Sequence, residues 1–152
     1  MSNPILTAYS PDLVIVSFNG ITINGYADGT FIELERNEHV FSEKVGSLGD
    51  VVRSKNKNKS GKATITLLAQ APVNDLLQSL VIEDEDSDDP IGDQLIGPFL
   101  VKDLAGLTVC ETHTAWISHH PKFERAKESG HVVWQFAFAN LKVKVGGNVK
   151  TL

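Results

Sequence analysis

Three aspartates in the middle of the chain have the spacing with which a calcium-binding loop begins. Asp84, Asp86 and Asp88 stand at every second position, and such alternate side chains supply the first ligands of the loop. The rest of the pattern fails, because Asp89 occupies the position of the glycine that makes the sharp turn and Leu95 that of the bidentate glutamate. A solvated acidic loop or an acidic docking segment explains these residues better than a specific calcium site.

The histidines and the single cysteine do not form a metal-binding pattern. His119 and His120 are adjacent, and adjacent side chains on a strand point to opposite faces of a sheet. Cys110 and His113 are an odd number of positions apart, so they also lie on opposite faces of a regular strand, and no second cysteine completes a zinc set. We expect Cys110 to be a small buried residue, the histidines to lie at the surface or at interfaces, and the protein to hold no metal or other cofactor.

No arrangement of residues predicts catalysis. The chain has no Gly-x-Ser-x-Gly turn, and Gly46 and Gly49 are not followed by the Lys and Ser/Thr of a phosphate loop. Glu33 and Glu35 have the residue types of an acid and base pair. A hydrated strand face is the better interpretation, since nothing predicts a pocket beside them. We therefore interpret the protein as a non-enzyme.

Two segments of opposite charge stand out from a mildly acidic chain. The 152 residues carry 14 Lys and Arg against 19 Asp and Glu, a formal charge of −5 that disfavours a dedicated DNA-binding protein. Residues 53–62 hold five bases and no acid, and residues 83–93 hold seven acids and no base. A contact between the basic loop of one copy and the acidic segment of the next explains both, and such head-to-tail contacts build rings or filaments. The candidates for these contacts are Arg53, Lys55, Lys57, Lys59, Lys62, Asp84, Asp86, Asp88 and Asp89.

The elements that position these residues are predicted to be mainly β. Asn19-Gly20 and Asp28-Gly29 favour tight hairpin turns, so we expect the fold to open with a β-meander from Leu13 to Arg36. In the apolar run from His131 to Val145 the apolar positions change parity, which predicts a bulge near Ala139-Asn140. About seven to nine short strands with one helix indicate a β-sandwich or a squat β-barrel. Further strands are expected at 40–45, 51–53, 62–68, 98–103 and 107–118.

One short helix is predicted at about 72–82 and is expected to pack against the sheet. Pro72 suits a first helical turn, and Asp75 suits the positive end of a helix. Acidic residues are unfavourable at the negative end, so the helix should end near Glu83. Its apolar stripe consists of Leu76, Leu77, Leu80 and Val81.

The length and composition fit one globular domain. With 41% hydrophobic residues, 152 residues are enough to bury one core. We expect a single domain over 1–152, with an extended basic loop at about 45–60 and an acidic loop at about 83–97. The chain has neither an apolar run long enough to cross a membrane nor a basic-then-apolar leader, so we expect a cytosolic or particle-associated protein.

Several stretches resemble the tail tube proteins of contractile-tailed bacteriophages. The resemblance lies in the order and spacing of these stretches across most of 9–145. None of them is a catalytic signature. The stretches are 9–20 (YSPDLVIVSFNG), 25–31 (GYADGTF), 35–38 (ERNE), 60–68 (SGKATITLL), 72–77 (PVNDLL), 101–106 (VKDLAG) and 114–117 (TAWI).

The resemblance implies a small barrel or sandwich subunit, similar in fold to the ring protein of type VI secretion. Such subunits form hexameric rings that stack into a hollow tube inside a contractile sheath, and DNA transits the lumen without specific binding. The implied partners are further copies of the chain, the tail sheath, the baseplate hub and the tail terminator. The implied location is the virion tail, with assembly in the host cytoplasm. In this family an extended loop between early strands helps to join the rings, and it corresponds here to about 45–60.

A lumen that conducts DNA should repel phosphates rather than bind them. Glu33 and Glu35 share one strand face, so they are our candidates for the lumen surface, and Ile32 and Leu34 on the other face are expected in the core. The alternative function is a small β-barrel binding module that uses the acidic loop to bind a cation or a basic partner.

Overall fold

A computed structural model describes residues 7–8, 13–88, 95–103, 107–128, 130–144 and 150–151. Within these ranges the chain forms eleven strands and one helix, which confirms the mainly β prediction. The elements are β1 (Thr7–Ala8), β2 (Val14–Phe18), β3 (Ile21–Ile23), β4 (Ile32–Arg36), β5 (Phe41–Val45), β6 (Val51–Lys55), β7 (Gly61–Leu68), α1 (Val73–Glu85), β8 (Gly97–Asp103), β9 (Leu107–Ile117), β10 (His131–Phe138) and β11 (Lys150–Thr151).

Seven strands form one antiparallel sheet in the order β3-β2-β8-β9-β10-β7-β4, and β5-β6 and β1-β11 form separate pairs. The main sheet is not closed into a barrel, because β3 and β4 are its edges. Beyond β3, however, Tyr26 bridges Leu67 of β7, and the amide of Ala27 donates to the carbonyl of Thr66 at 3.1 Å. The two ends of the sheet therefore approach each other, and the fold is sandwich-like.

The first hairpin forms as the sequence predicts, but the second does not. Asn19 and Gly20 both have positive φ, 50° and 82°, and join β2 to β3, as a tight twisted turn requires. Gly29 also has a positive φ of 86°. Yet β3 and β4 lie at opposite edges of the sheet, because the segment around Tyr26 pairs with β7 instead. The expected opening meander is wrong.

The core lies between the inner face of the curved sheet and α1. Phe99 packs against Phe136 and Phe138 with ring centroids 5.1 and 5.0 Å apart. Trp134 is also buried, and its indole N–H donates to Asn74 Oδ1 on α1 at 2.9 Å. Since buried aromatic side chains remove large apolar areas from water, this cluster contributes strongly to the stability of the fold.

The strand expected at 131–145 ends earlier than the sequence indicates. β10 stops at Phe138, and residues 139–140 bend where the bulge was expected. Leu141 is fully buried, and Val143 forms an isolated bridge with Cys110. The change of parity is therefore real, but the chain leaves the strand at that point.

The helix extends slightly beyond its expected end and packs on the sheet through part of the expected stripe. It runs to Glu85, and its buried residues are Val73 and Leu77. Leu80 and Val81 pack against the core, whereas Leu76 is exposed. None of the helical structure in the described ranges is long and apolar enough to span a membrane.

Candidate assembly surfaces

The hairpin of β5 and β6 stands apart from the main sheet. The two strands form a sheet of their own, in register from Phe41 opposite Lys55 to Val45 opposite Val51. Every residue of both strands is exposed. We call residues 41–55 the arm. Five residues of strand span roughly 17 Å, so the arm is long enough to reach a neighbouring molecule.

The arm carries large apolar side chains that the rest of the described chain leaves exposed. The most exposed are Leu48 at 92%, Val45 at 65%, Val52 at 62%, Val51 at 59% and Phe41 at 46%. The register places Phe41, Val45 and Val51 on one face of the hairpin. Arg53 lies on this face too, with its guanidinium carbon 4.4 Å from the centroid of the Phe41 ring. An exposed apolar surface of this kind is typical of a protein interaction site.

The tip of the arm is a defined turn. The amide of Gly46 donates to the carbonyl of Asp50 at 2.7 Å, and the amide of Gly49 donates to the carbonyl of Gly46 at 3.0 Å. Gly49 adopts a φ of 89°, which a residue with a side chain rarely does. The turn therefore holds Leu48 at the outermost point of the arm.

Polar side chains fix the root of the arm. Asn56 donates its side-chain amide to Glu38 Oε2 at 2.6 Å, and its backbone amide donates to the carbonyl of Val40 at 2.7 Å. Hydrogen bonds from Asn56, and next from Asn58, hold the pKa of Glu38 below its ordinary value of 4.5. Within the expected loop of 45–60, residues 51–55 thus form β6, and 56–60 is a hydrogen-bonded connection to β7.

The five bases expected at subunit contacts are divided between two surfaces. Arg53 and Lys55 lie on β6, and Lys57 and Lys59 are exposed in the connection that follows. Lys62 lies on β7 of the main sheet, with Nζ 3.2 Å from Glu35 Oε1. These two side chains are 55% and 65% exposed, so the pair contributes about 0–1 kcal/mol to stability.

Glu33 and Glu35 lie on the exposed face of the main sheet. Opposite them on β4, Ile32 and Leu34 are half-buried and pack against the core, as the alternation predicts. The register places Glu33 beside Thr64 of β7. The structure therefore brings Lys62 and Glu35 together, although the sequence suggests separate roles for them.

Carboxylates at the end of α1 have partners that the sequence does not reveal. Asp84 Oδ1 accepts from the amide of Leu95 at 3.2 Å. Glu85 Oε2 lies 2.6 Å from His120 Nε2, and His120 Nδ1 lies 3.0 Å from Gln78 Nε2. These contacts offset the unfavourable position of acids at the negative helix end, which explains why α1 continues to Glu85.

Beside these carboxylates is an open cleft of about 740 Å³ between the end of α1 and the end of β9. We call it the helix-end cleft. Its lining combines carboxylates of α1 with apolar and histidine side chains, among them Asp84, Glu85, Ile96, Trp116 and His120. The negative end of the helix adds to the charge of the two acids. The cleft thus offers an apolar surface in a negative environment.

The remaining candidates for chemistry are distributed without a common centre. In the part of the chain that the structure describes, no three His, Cys, Asp or Glu side chains are placed to hold a metal ion. His119 Nδ1 lies 2.8 Å from Ser118 Oγ, whereas His120 contacts α1. Cys110 is buried, and burial raises the pKa of its thiol to about 11, so the reactive thiolate is scarce at neutral pH. The expected contact residue Asp89 lies outside the described residues, while Asp86 and Asp88 are exposed.

The apolar side chains of the arm and the helix-end cleft are missed by reasoning from the sequence. The sequence predicts the strands at 40–45 and 51–53. It does not predict that these strands lack a covering layer. One signal was present in β5, where Phe41, Glu43 and Val45 share a face and Ser42 and Lys44 share the other. Neither face is uniformly apolar, which is untypical of a strand in a core. The cleft leaves no local signal, because it joins segments far apart in the chain.

An exposed apolar arm on a sandwich-like fold is typical of a protein that contacts other proteins. The chain is a member of the family described as the bacteriophage PhiTE tail tube protein, whose model matches residues 14–146. The match confirms the resemblance to phage tail tube proteins. It also makes the chain a structural component of a virion tail rather than an enzyme.

A curated relative and two solved structures are similar to the chain. The relative is "Structural protein ORF10" of Pseudomonas phage KPP10, 26% identical over 150 residues, which cover 95% of this chain and 85% of the relative. The tube-terminating cap of the anti-feeding prophage has a TM-score of 0.59 at 7% identity, with 96% of this chain and 97% of the cap covered. The sheath/tube terminator of the extracellular contractile injection system PVC, in its extended state, has a TM-score of 0.52 at 9% identity, with 91% and 97% covered. At these identities the two structures show a common fold.

Proposed function

We propose that the chain is the repeating subunit of a tail tube in a contractile-tailed phage. In this proposal hexameric rings stack into a hollow tube, and DNA transits the lumen during ejection. The observation that carries the proposal is the arm, whose apolar side chains are exposed along its full length. In a member of the tail tube family, such a surface is best explained by contact with another subunit.

The edges of the main sheet supply a means of closing the ring. β3 and β4 are the outer strands of the sheet, and uncovered edge strands favour pairing with another chain. Pairing of β4 of one subunit with β3 of the next would continue the sheet around the ring. Ring closure then removes both edges from solvent, as closure of a barrel does within one chain.

The arm supplies the contact between successive rings in this proposal. Its strands project from the main sheet as a separate pair, and its root is held by hydrogen bonds from Asn56. A fixed root presents the apolar tip in one direction, which lowers the ordering cost of a contact. The family resemblance assigns the same role to this segment.

The exposed sheet face that bears Glu33 and Glu35 is our proposed lumen surface. Lys62 pairs with Glu35, so the three side chains leave a single net negative charge on that patch. A weakly negative wall repels phosphate without holding it. Passage of DNA without specific binding is the expected consequence.

The remaining partners follow from the place of such a tube in a virion. A tube of this kind contacts the tail sheath around it, the baseplate hub at one end and the tail terminator at the other. Its subunits are made in the host cytoplasm and assembled there into the virion tail.

A tail terminator is the second candidate function, and one observation favours it. The two solved structures that share the fold are a tube-terminating cap and a sheath/tube terminator. A terminator forms a single ring at the end of a tube and does not stack on copies of itself. The binding-module alternative, by contrast, predicts small particles without rings.

Electron microscopy of the purified protein, with sedimentation velocity, separates these functions. A tube subunit gives stacked rings that lengthen with protein concentration, and a terminator gives single rings at all concentrations. Particles of one subunit at every concentration would contradict both. A calcium titration of thermal stability then tests the binding module, since a ligand that binds only the folded state raises the melting temperature.

A further inference from the structure

The arm changes in character from its tip to its root. At the tip, Val45, Leu48 and Val51 are between 59% and 92% exposed. Toward the root, the same face carries Arg53 and Lys55 together with one acid, Glu43, which the register places opposite Arg53. Two bases against one acid leave this part of the face with a net positive charge. Any surface that covers the arm must therefore be apolar for the tip and negative for the root.

The helix-end cleft has these two properties side by side. Ile96 and Trp116 line it with apolar surface, and Asp84 and Glu85 line it with carboxylates. Ile96 is 47% exposed, so apolar surface is available to a partner. No basic side chain lies in the last turn of α1, and the helix end is itself negative.

We propose that the arm of one subunit seats in the helix-end cleft of a second copy of the chain. The inference rests on the proposed tube function and names the surface that receives the arm. Leu48 enters between Ile96 and Trp116, and Arg53 meets the carboxylates of Asp84 and Glu85. The arm does not occupy the cleft of its own subunit, since its strands are exposed throughout.

Size and geometry agree with this pairing. A cleft of about 740 Å³ lies within the range of roughly 300–1,000 Å³ over which proteins enclose ligands, and it accommodates the side chains of a hairpin tip. The Phe41 ring supports the guanidinium of Arg53 from one side, which leaves the N–H edges free for planar bonds to a carboxylate. Because the arm and the cleft are different surfaces, one copy can engage a second copy through its arm and a third through its cleft, and such head-to-tail contacts repeat from copy to copy.

Charge exchange between the two surfaces tests the inference in the full chain. We would compare Arg53→Glu, Glu85→Arg and the variant with both changes for the protein concentration at which stacks appear. Arg53 is on the exposed arm, so its replacement should leave the fold of the main sheet intact. Because the register places Arg53 opposite Glu43, Arg53→Gln is measured as well, since it removes the cation without setting two carboxylates side by side. Glu85→Arg loses the contact with His120 but places a cation at the negative helix end, which is favourable. Circular dichroism and melting temperature check that each variant is folded.

Each single exchange should raise the protein concentration at which stacks appear by about tenfold or more, because like charges then face each other across the contact. The double exchange should bring it back to within a few-fold of the original chain. Lys127→Glu and Glu128→Lys are matched controls, because both are exposed and lie outside the arm and the cleft; they should have little effect.

Two results overturn the inference but not the tube function. One is unchanged stacking by the single variants, and the other is a folded double variant that stacks no more readily than the single variants do. Failure of the original chain to stack contradicts the tube function itself.

A crosslink tests the same contact without depending on charge. Leu48→Cys and Ile96→Cys variants, mixed and mildly oxidised, should form a disulfide between subunits, since the two Cα atoms must approach within about 7 Å for the bond to form. The natural Cys110 is buried and should not compete. The matched control mixes Leu48→Cys with Lys127→Cys. A yield no higher than in this control would overturn the inference.

Discussion

β7 in the main sheet and β6 in the arm are built from similar β-branched and basic residues, but their environments differ completely. In β7, Ala63, Ile65 and Leu67 are fully buried and alternate with more exposed residues. In β6, Val51 and Val52 are 59% and 62% exposed, and the other three residues of the strand are exposed as well. Residue type therefore does not decide burial here. The decisive difference is a covering layer, which β7 has within the chain and which, in the proposed tube, β6 obtains from another copy.

Folding of the chain and assembly of its copies depend on different parts of the molecule. The sheet and α1 bury aromatic side chains and determine whether a subunit folds. The strands of the arm are exposed throughout, so changes to the arm should alter assembly and leave the fold of the main sheet intact.

The largest effect on folding should come from the aromatic cluster. Phe136→Ala removes a fully buried ring that contacts Phe18 and Phe99 at 5.1 Å between centroids, and should cost about 3–5 kcal/mol in the free energy of unfolding. The matched arm variant Val51→Ala should change that free energy by less than about 0.5 kcal/mol. Denaturant titrations of non-assembling samples measure both. Equal losses would show that the arm belongs to the folding core.

The largest effect on assembly should come from the tip of the arm. Leu48→Asp places a charge at a position that is 92% exposed in the single chain and covered in the proposed tube. We expect the concentration needed for stacking to rise at least about tenfold, since burial of a leucine contributes roughly 1.5–3 kcal/mol. The melting temperature of the subunit should not change. Leu76→Asp on the exposed side of α1 is the control, and an equal loss of assembly there would indicate a general effect of charge.

A pair of glycines tests the boundary between the arm and the core. At Gly61, a Cβ would overlap the side chain of Leu141 and lie 2.9 Å from the carbonyl of Glu35. Gly61→Ala should therefore cost about 1–3 kcal/mol in the free energy of unfolding. At Gly46 in the arm, the nearest atom to a Cβ is Asp50 O at 3.7 Å, an ordinary contact. Gly46→Ala should be tolerated, and a greater cost there than at Gly61 would contradict this boundary.

The smallest effect should be a pH-dependent loosening of the root of the arm. Asn56 and then Asn58 hold the pKa of Glu38 below 4.5, so the carboxylate stabilises the folded root above that pH. This contribution is lost as the pH falls through the lowered pKa, because the protonated acid accepts these bonds less well. The protection factors of the arm amides, which are the intrinsic exchange rate at each pH divided by the observed rate, should fall over this range, while those in β7 should not. Glu38→Gln should abolish the pH dependence, and its persistence in that variant would assign the effect to another group.

The sequence correctly predicts those turns and helices that are favoured by their own residues. The Asn19-Gly20 turn has the positive φ values that its residues favour, and the helix is found within a few residues of its predicted range. The end of α1 depends on contacts with Leu95 and His120, which lie far along the chain. No pattern within the helix indicates them.

The position of β4 in the sheet also depends on residues far away in the chain. Asp28-Gly29 has the composition of a hairpin turn, but Tyr26 pairs with Leu67, and that choice depends on a strand about forty residues away. The alternation of Glu33 and Glu35 with core-facing residues is a local property and is correctly predicted. The exposure of the arm is not local, because it depends on whether any other element packs on β5 and β6.

A cryo-electron microscopy map of the assembled protein tests the central claim most directly, since it shows what lies against residues 41–55. Our account predicts stacked rings in which Val45, Leu48 and Val51 are buried by a neighbouring copy of the chain. Rings that stack with the arm still surrounded by solvent would contradict it.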